Sequence, residues 1–321
     1  MDGSIRINQS RVNSWRTCKQ AHYFKYIEQL QPKRPSRPLA FGSLVHKMIE
    51  EDANNRDPFE VIENIDLDTL RLFKSEKEEY GDLIDDISII MEDYWDYWGN
   101  DLKYLKIEGR QAEHKFKLDI FPGATWEGKI DAFVQTKNKL KWLIEHKSFN
   151  QMPDEDARWR NIQSTTYIRA TEIEGWLNVD GILWDYIWSK PPSEPTINKD
   201  GSISKRQIKT LPTKLKLWAK THKVKIPLEL RRKAEDHRPE WFQRIYSTKK
   251  KKVIDKVWED FIISAREIVD RGEKEKVKSI GRWCSWCQYE GICRAELTGG
   301  DVDFVKQTQY KRQDPDIRYN D

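Results

Sequence analysis

Three strand-like segments in the middle of the chain constrain its fold more than any other feature. They are residues 113–120, 126–135 and 139–148, which read EHKFKLDI, WEGKIDAFVQ and KLKWLIEHKS and have the short period and β-branched content of strands. The residues between them, FPGA and TKNK, are typical of turns. Because strands with such short connections pair in antiparallel order, the sequence predicts an antiparallel meander.

Helical patterns surround this meander. The apolar spacing predicts one helix leading into a second near the N-terminus, with Ser10 as the N-cap, and an acidic helical region that caps the core. A further helix and strand complete an α/β unit flanked by helices. The predicted helical ranges are 8–31, 41–51, 57–106 and 156–173, and the additional strand covers 179–189.

The composition is that of a globular protein. Of 321 residues, 34% are charged and 14 are tryptophan, whereas disordered chains lack aromatic residues to bury. No apolar stretch reaches the roughly 18 residues of a membrane span, and the start, MDGSIRINQS, has no apolar export segment. We therefore expect a cytoplasmic protein without a membrane partner.

Positive charge is concentrated in residues 190–252, which hold 19 Lys and Arg against 6 Asp and Glu, while the remainder holds 38 against 47. Aromatic residues interleave with this charge at Trp218, Trp241, Phe242 and Tyr246. Lysines and arginines follow phosphates and bases stack on aromatic rings, so this basic insertion is predicted to contact DNA. The alternative is a solvated lysine-rich surface.

The four cysteines predict a metal site. Cys284, Cys287 and Cys293 have the spacing C-x2-C-x5-C, and Cys18 lies far upstream. In a reducing compartment such a set favours metal ligation over disulfides. The spacing by itself is most typical of zinc.

A carboxylate and a lysine lie together at the end of the third strand. Side chains at i and i+2 share a strand face, so Glu145 and Lys147 point together and His146 points the opposite way. With Asp131 on the neighbouring strand, they can hold a divalent cation and orient a water. E-x-K also occurs by chance on exposed strands, but the apolar run WLI before it indicates a buried strand that emerges here.

In this order, Cys18, GSLVH, GKID, EHK, QSTTY and C-x2-C-x5-C resemble the RecB-type branch of the PD-(D/E)XK nuclease superfamily. The most similar members by motif are its iron–sulfur nucleases, such as the nuclease of the AddB subunit, the CRISPR adaptation nucleases and phage exonucleases. The resemblance runs from about residue 9 to about 294, without the acidic helices and the basic insertion. It implies a restriction-endonuclease-like α/β core, with a mixed central sheet flanked by helices.

The resemblance also implies roles for individual residues. Its metal ligands are His46, Asp131 and Glu145; its catalytic residues are Asp131, Glu145, Lys147, Gln163 and Tyr167, of which the last two help place the DNA strand. The structural alternatives are a core histidine paired with Glu50, one turn from His46, and an ordinary helix face at 163 and 167. Glu113 also falls where it could approach the metal.

In the resembling family, the four cysteines Cys18, Cys284, Cys287 and Cys293 hold a [4Fe-4S] cluster, with zinc as the alternative here. Such a site would act as a staple between the N- and C-terminal segments. Two residues depart from the family pattern, Lys19 where proline is common and Ser148 where threonine is usual. Neither departure removes a ligand.

The resulting prediction is a single nuclease domain over 1–300. Its parts are a helical N-terminal part (8–106), a core (110–190), the basic insertion (190–252), a C-terminal helix with the cysteine cluster (253–294) and then a polar tail (301–321). The implied activity is Mg²⁺- or Mn²⁺-dependent DNA hydrolysis, as an exonuclease on ends or single strands in recombination, repair or phage replication. A helicase, recombination or single-strand-binding protein is an expected partner, because the chain has no nucleotide-binding helicase motif. The alternatives are an inactive DNA-binding scaffold and an RNA-processing nuclease.

Overall fold

The structure, a computed structural model, describes residues 4–317 except 66, 205 and 207. The strands are β1 (Ile5–Ile7), β2 (Leu30–Pro32), β3 (Lys103–Tyr104), β4 (Ala112–Phe121), β5 (Ala124–Gln135), β6 (Lys141–Phe149), β7 (Gly181–Trp188), β8 (Phe242–Ser247) and β9 (Tyr310–Arg312). The helices are α1 (Gln9–Thr17), α2 (Lys19–His22), α3 (Arg37–Ala53), α4 (Glu60–Glu63), α5 (Leu67–Ser75), α6 (Lys77–Tyr80), α7 (Leu83–Trp98), α8 (Glu155–Arg160), α9 (Ile162–Glu174), α10 (Pro212–His222), α11 (Leu228–Trp241), α12 (Lys251–Arg271), α13 (Glu290–Thr298) and α14 (Val302–Gln309). A π-helical turn covers Tyr23–Ile27 and a 3-10 helix covers Arg282–Trp286.

A mixed seven-stranded sheet forms the centre of the molecule. Strands β4, β5 and β6 form the predicted antiparallel meander, and β7 follows in parallel with β6 after the crossover through α8 and α9. Strand β8 closes this end of the sheet antiparallel to β7. The mixed α/β class predicted from the sequence is confirmed.

The meander is forked. β6 pairs with β5 only from Ala132 opposite Ile144 to Gln135 opposite Lys141. Beyond Ala132 the two strands are no longer paired, and β1 pairs in parallel with the far end of β5 at 124–126. Asp131 and Glu145, the next residues on each strand, therefore lie where the sheet opens.

Helices cover both faces of the sheet. On one face α1, α9 and α12 pack together, around buried side chains such as Trp126, Phe133 and Phe261. On the other face α3 and α7 pack over Ile187 and Phe242. The sheet is thus flanked by helices on both sides, as the sequence predicted.

Two helix boundaries differ from the prediction because asparagine side chains begin new helices. Asn8, not Ser10, caps α1, since its side chain accepts a hydrogen bond from the Arg11 amide. The single helix predicted over 156–173 is divided at Asn161, which has extended backbone angles and accepts from the Ser164 amide. Both are N-caps that satisfy otherwise unpaired amides.

The aromatic residues of the basic insertion do not form a stacking surface. Trp218, Trp241 and Phe242 are only 3%, 0% and 1% exposed, whereas Tyr246 is 47% exposed. Phe242 begins β8, so part of this segment is a strand of the central sheet. The stacking role expected of these three side chains is incompatible with their burial in the core.

The C-terminal segment is more ordered than a polar tail predicts. It contains α14 and then β9, which pairs with β2 in a two-stranded sheet. Tyr310, at the start of β9, packs with Phe24, Leu30 and Tyr289. None of the helices in the described ranges is long and apolar enough to cross a membrane.

Candidate functional site

The fork of the sheet holds the two predicted carboxylates, because neither strand has a backbone partner on this side. The Asp131 carboxylate takes the place of a ladder partner, since its Oδ2 accepts the His146 amide at 2.8 Å. Its other oxygen, Oδ1, lies 3.7 Å from Nδ1 of His46. Asp131 of β5 and His46 of α3 thus meet where the sheet opens.

Helix α3 carries His46 to the fork by packing closely on β6. A Cβ on Gly42, one turn before His46, would lie 3.1 Å from the Ser148 hydroxyl, which is why this helix position suits glycine. Burial lowers the pKa of His46, although the negative charge of Asp131 opposes this shift. The imidazole is therefore neutral, and neutral imidazole is the form that binds metal.

Glu113 joins these two residues. Ligand atoms of His46, Glu113 and Asp131 all lie within 4.8 Å of one another, the one such set of three or more in the described ranges. Glu113 has a φ of +57°, a left-handed conformation that costs about 1–2 kcal/mol for a residue with a side chain. Residues on either side of it, Ala112 and His114, pair with β5, so the strained residue lies opposite Asp131.

Burial, and then the charge of Asp131, raises the pKa of Glu113 to about 7. Its carboxylate forms an ion pair with Lys129, the lysine of GKID. The sequence offered Glu113 as a further ligand only by its position on the strand before GKID. Its left-handed backbone, which brings its carboxylate to Asp131, has no sequence signal because glutamate is not expected in that conformation.

Glu145 and Lys147 form a pair on one face of β6, as the alternation of the strand predicts. Glu145 Oε1 lies 2.5 Å from Lys147 Nζ, and the two side chains are 1% and 34% exposed. Burial raises the pKa of Glu145, although Lys147 opposes the shift. Burial lowers the pKa of Lys147, but Glu145 and Asp131 outweigh it and raise it above the ordinary value.

The second oxygen of Glu145 is available for a metal. Oε2 is buried and has no hydrogen-bond partner among the described residues. A buried carboxylate oxygen without a partner is costly, and a cation at the fork would remove that cost. Glu145 lies beside the set of His46, Glu113 and Asp131 rather than within it. The residues present therefore fit a divalent cation.

Gln163 and Tyr167 share one face of α9, the helix that packs on β6. Gln163 Nε2 donates to the Tyr167 hydroxyl over 3.3 Å. Tyr167 is 4% exposed and its ring meets Phe116 edge-on at 5.7 Å. The spacing of the two residues predicted this common face. Their predicted role toward DNA remains a prediction.

The opposite face of β6 carries a buried polar network that the sequence analysis missed. His146 Nδ1 lies 2.8 Å from Asp185 Oδ2, and the same oxygen accepts from the Tyr94 hydroxyl at 2.5 Å. Arg244 donates to Asp185 at 3.1 Å and to Asp101 at 2.5 Å. The one signal in the sequence was a single aspartate inside the apolar strand WDYIW.

This network holds the middle of the E-x-K segment in place. Asp185 is fully buried; burial raises its pKa, but Arg244 and then His146 outweigh that effect and lower it to about 2. Three donors, from Arg244, His146 and Tyr94, thus stabilise the ionised carboxylate. Because the His146 ring is fixed on one face of β6 and its backbone amide is bound by Asp131 at the strand's edge, the backbone between Glu145 and Lys147 is tightly positioned.

The four cysteines meet at a second place. Cys18 lies between α1 and α2, Cys284 lies in the 3-10 helix, Cys287 follows it, and Cys293 lies in α13. All four are free thiols that line one cavity of about 350 Å³. The amide of Gln20, close to Cys18, donates to the carbonyl of Val277 at 3.1 Å, which ties the two segments together.

Burial controls the protonation of the thiols in this cavity. Burial raises the pKa of Cys287, and that of Cys293 to about 11, so both thiols hold protons in the metal-free protein. No three of the cysteine sulfurs fall within 4.8 Å of one another, whereas ligand atoms of His46, Glu113 and Asp131 do. A single zinc with Zn–S bonds of about 2.3 Å requires sulfurs about 3.8 Å apart. The sulfurs of the metal-free protein are therefore not at the spacing of a single zinc site.

Comparisons with known proteins identify one family. The family model of the PD-(D/E)XK nuclease superfamily matches residues 6–294. No curated protein matches the chain. Among solved structures, the crystal structure of SSO0001 matches with a TM-score of 0.30 and 14% sequence identity, over 71% of this chain and 81% of that one. That likeness is too slight to support an argument.

Proposed function

This chain belongs to the PD-(D/E)XK nuclease superfamily, whose members are metal-dependent nucleases, and from that premise we propose that it hydrolyses DNA at ends or in single strands. The observation that carries the proposal is the fork site, which we define as His46, Glu113, Asp131, Glu145 and Lys147. It combines three metal-ligand atoms within 4.8 Å with a carboxylate–lysine pair. These are the groups that phosphodiester hydrolysis requires.

In this proposal His46, Asp131 and Glu145 hold the divalent cation, and Glu113 is a fourth ligand. When bound, Mg²⁺ or Mn²⁺ polarises a phosphate oxygen and lowers the pKa of its water. Asp131 Oδ2 already accepts the His146 amide, so the other oxygen, Oδ1, is the one that would bind the cation beside His46. Glu145 Oε2 has no hydrogen-bond partner among the described residues, so it is available to bind the cation.

Lys147 acts in this proposal as a charged donor to the phosphate. Its pKa is raised in the metal-free protein, so at neutral pH it is an ammonium rather than a base. Glu145 holds the ammonium at the edge of the site, where a third of the side chain is exposed. From there it can stabilise the negative charge that grows on the phosphate in the transition state.

We further propose that the four cysteines hold a [4Fe-4S] cluster, as they do in the family branch this sequence resembles. The cavity that all four cysteines line supports one shared group, and the resemblance favours a cluster over a single zinc. Lys25 and Lys278 also line the cavity and offset the charge of four thiolates. Visible absorption with iron and sulfide analysis of protein purified without oxygen tests this; a colourless protein with one zinc would contradict it.

One assay tests the nuclease proposal. The purified chain is incubated with single-stranded DNA, duplex DNA with free or blocked ends, and RNA, each with Mg²⁺ or Mn²⁺. We expect cleavage of DNA that needs a free end or an unpaired strand and that stops on chelation. Cleavage of RNA alone would point to an RNA-processing nuclease, and binding without cleavage of any substrate would point to an inactive scaffold.

A further inference from the structure

An exposed tryptophan lies in the helix that directly follows the strand of the fork site. Trp159, on α8, is 65% exposed, although a tryptophan ring carries the largest apolar area of any side chain. The tryptophans of the basic insertion, by contrast, are buried in the core. Trp159 is therefore a largely solvent-exposed aromatic surface on the helix that follows strand β6.

The preceding residue, Arg158, connects this tryptophan to the fork site. Tyr186 is the neighbour of Lys147 across the β6–β7 ladder and is 2% exposed. Burial raises the pKa of the Tyr186 hydroxyl, and the adjacent guanidinium of Arg158 and the ammonium of Lys147 oppose that shift. Arg158 thus lies at the hydroxyl of the residue that pairs with Lys147, so a phosphate next to the one held at Lys147 would be within reach of Arg158.

Arg158 is anchored but keeps donors free for a ligand. Its Nη1 donates to the carbonyl of Pro153 at 2.7 Å, which fixes the guanidinium relative to the end of β6. A guanidinium has five N–H donors in a planar fork, and this geometry matches phosphate oxygens. An anchored arginine also loses less conformational entropy when it binds.

A second segment adds positive charge at Trp159. Lys249 Nζ donates to the Trp159 carbonyl at 3.4 Å, and the neighbouring Lys250 and Lys252 are exposed. Burial lowers the pKa of Lys249, as expected for a lysine held against the surface. The lysine run KKKK therefore begins beside the exposed indole and not on a remote loop.

The acidic residues at the start of α8 are partly compensated. Asp154 caps the helix through the Ala157 amide. Arg160 lies 3.9 Å from Asp154 and 3.5 Å from Asp156. Arg160 is thus engaged with these carboxylates, and Lys251 of the lysine run pairs with Glu172 and Asp255. Arg158 and the exposed Lys250 and Lys252 are the cations that a polyanion can meet.

Building on the nuclease function proposed above, we propose that Arg158 and Trp159 form a subsite for single-stranded nucleic acid beside the fork site. Arg158 binds the phosphate next to the scissile one, and one unpaired base stacks on the Trp159 indole, with Lys249 following the backbone. Stacking needs a base that is free of its complement, so this subsite selects single strands or frayed ends over intact duplex.

Binding to an Asp131→Asn variant tests the subsite without cleavage. The probe is a labelled single-stranded oligonucleotide, and the readout is fluorescence anisotropy at fixed salt. Loss of one base–aromatic stack corresponds to about 5- to 100-fold weaker binding, so Trp159→Ala should lose that much and Trp159→Phe much less. Phe304→Ala, which removes an aromatic side chain of similar 62% exposure from α14, is the matched control and should bind as the parent does.

An abasic scan identifies the stacked base. Oligonucleotides with one abasic position, moved stepwise along the strand, should show one position at which the parent binds weakly and Trp159→Ala shows no further loss. For Arg158→Ala we expect weaker binding to every oligonucleotide and a salt dependence that is smaller by about one phosphate contact. Equal binding of parent and Trp159→Ala, or additive losses at every abasic position, would overturn the subsite.

These outcomes are separable from those of the nuclease proposal. If the wild-type chain cleaves no nucleic acid, the nuclease proposal fails, but binding and the abasic scan still judge the subsite. If the wild type cleaves DNA and Trp159→Ala keeps the same preference for single strands over duplex as the wild type, the subsite fails and the nuclease proposal stands. Circular dichroism of each variant verifies that this exposed substitution leaves the fold intact.

Discussion

The fork site and the cysteine cavity, which we define by Cys18, Cys284, Cys287 and Cys293, assemble their polar groups in different ways. The fork site lies where two paired strands separate, and its acceptors are fixed by backbone bonds such as that from the His146 amide to Asp131. The cysteine cavity joins residues from the two ends of the chain over a small apolar cluster that includes Phe24 and Tyr289. A metal at a preorganised site can serve chemistry, whereas a metal that joins distant segments contributes mainly to folding.

The difference is also electrostatic. At the fork, burial raises the pKa values of Glu113 and Glu145, and the charge of Asp131 raises both further. At the cavity, burial itself raises the pKa values of Cys287 and Cys293. Metal binding therefore relieves repulsion between fixed charges at the first site, and displaces protons from neutral thiols at the second.

The largest expected effect is loss of cleavage in Asp131→Asn. A metal supplies several kcal/mol of transition-state stabilisation, so kcat/KM should fall on the order of a thousandfold. The amide oxygen can still accept the His146 amide, and one repelling charge is gone, so the melting temperature without metal should not fall. Both quantities are measured on the same preparation.

Asp180→Asn is the matched control for this variant. Asp180 Oδ2 accepts the Lys141 amide at 2.7 Å at the opposite end of β6, as Asp131 accepts that of His146. This variant should keep full activity. A loss of activity in both variants would mean that strand capping, rather than metal ligation, is what Asp131 provides.

Cys18→Ser should have the largest effect on stability. The proposed cluster would close a loop longer than 100 residues and contribute on the order of 5 kcal/mol, so its loss should lower the melting temperature by roughly 10 °C and release the iron. Cleavage per folded molecule at low temperature should stay within about tenfold of the wild type, because the fork does not depend on the cavity. Ser279→Ala, at another residue lining the cavity, should retain the metal. Unchanged stability of Cys18→Ser with all iron retained would remove Cys18 from the ligand set.

Asp185→Ala tests whether the buried polar network on the opposite face of β6 positions the fork site. Removing this carboxylate leaves Arg244 and His146 with an unpaired buried donor each, which should cost about 3–5 kcal/mol of the free energy of unfolding. Denaturant unfolding measures this cost, and cleavage should fall at temperatures where the variant is still folded. Full stability would show that water replaces the carboxylate and that the network does not position β6.

The smallest expected effect is the pH dependence of metal binding through Glu113. Its pKa of about 7 lies above the ordinary value of 4.5, so between these values the folded metal-free protein keeps a proton that the unfolded chain has lost. The stability of the metal-free protein should therefore fall as pH rises through this window, while metal affinity should rise about tenfold between about pH 6 and pH 8.

Glu113→Gln should flatten both dependences, and calorimetric titration with Mn²⁺ in two buffers of different ionisation enthalpy reports the released proton. If the tenfold rise persists in Glu113→Gln, the proton comes from another group of the fork site and Glu113 is not a ligand.

Much of the fold could be predicted because its elements are encoded locally. The alternation in 113–148 specifies three strands, and the turns between them specify their antiparallel order. The division of the helix at Asn161 was not predicted because an asparagine within an apolar pattern is equally compatible with a helix interior. The burial of Trp218 and Trp241 was not predicted because residue type does not show which side of a basic segment packs inward. Trp218 packs within the segment itself, and Trp241 lies in the cluster that includes helix α7.

The sequence by itself determined the order of the motifs, the shared face of Glu145 and Lys147, and the cysteine spacing, because these depend on short-range periodicity. The tertiary structure decided which groups meet across long separations. It brought Glu113 to His46 and Asp131 through a left-handed backbone residue, paired His146 with Asp185, and placed Arg158 beside Tyr186. Such approaches depend on where the sheet forks and how helices cross it, and these are set by packing across the whole chain and not by any one segment.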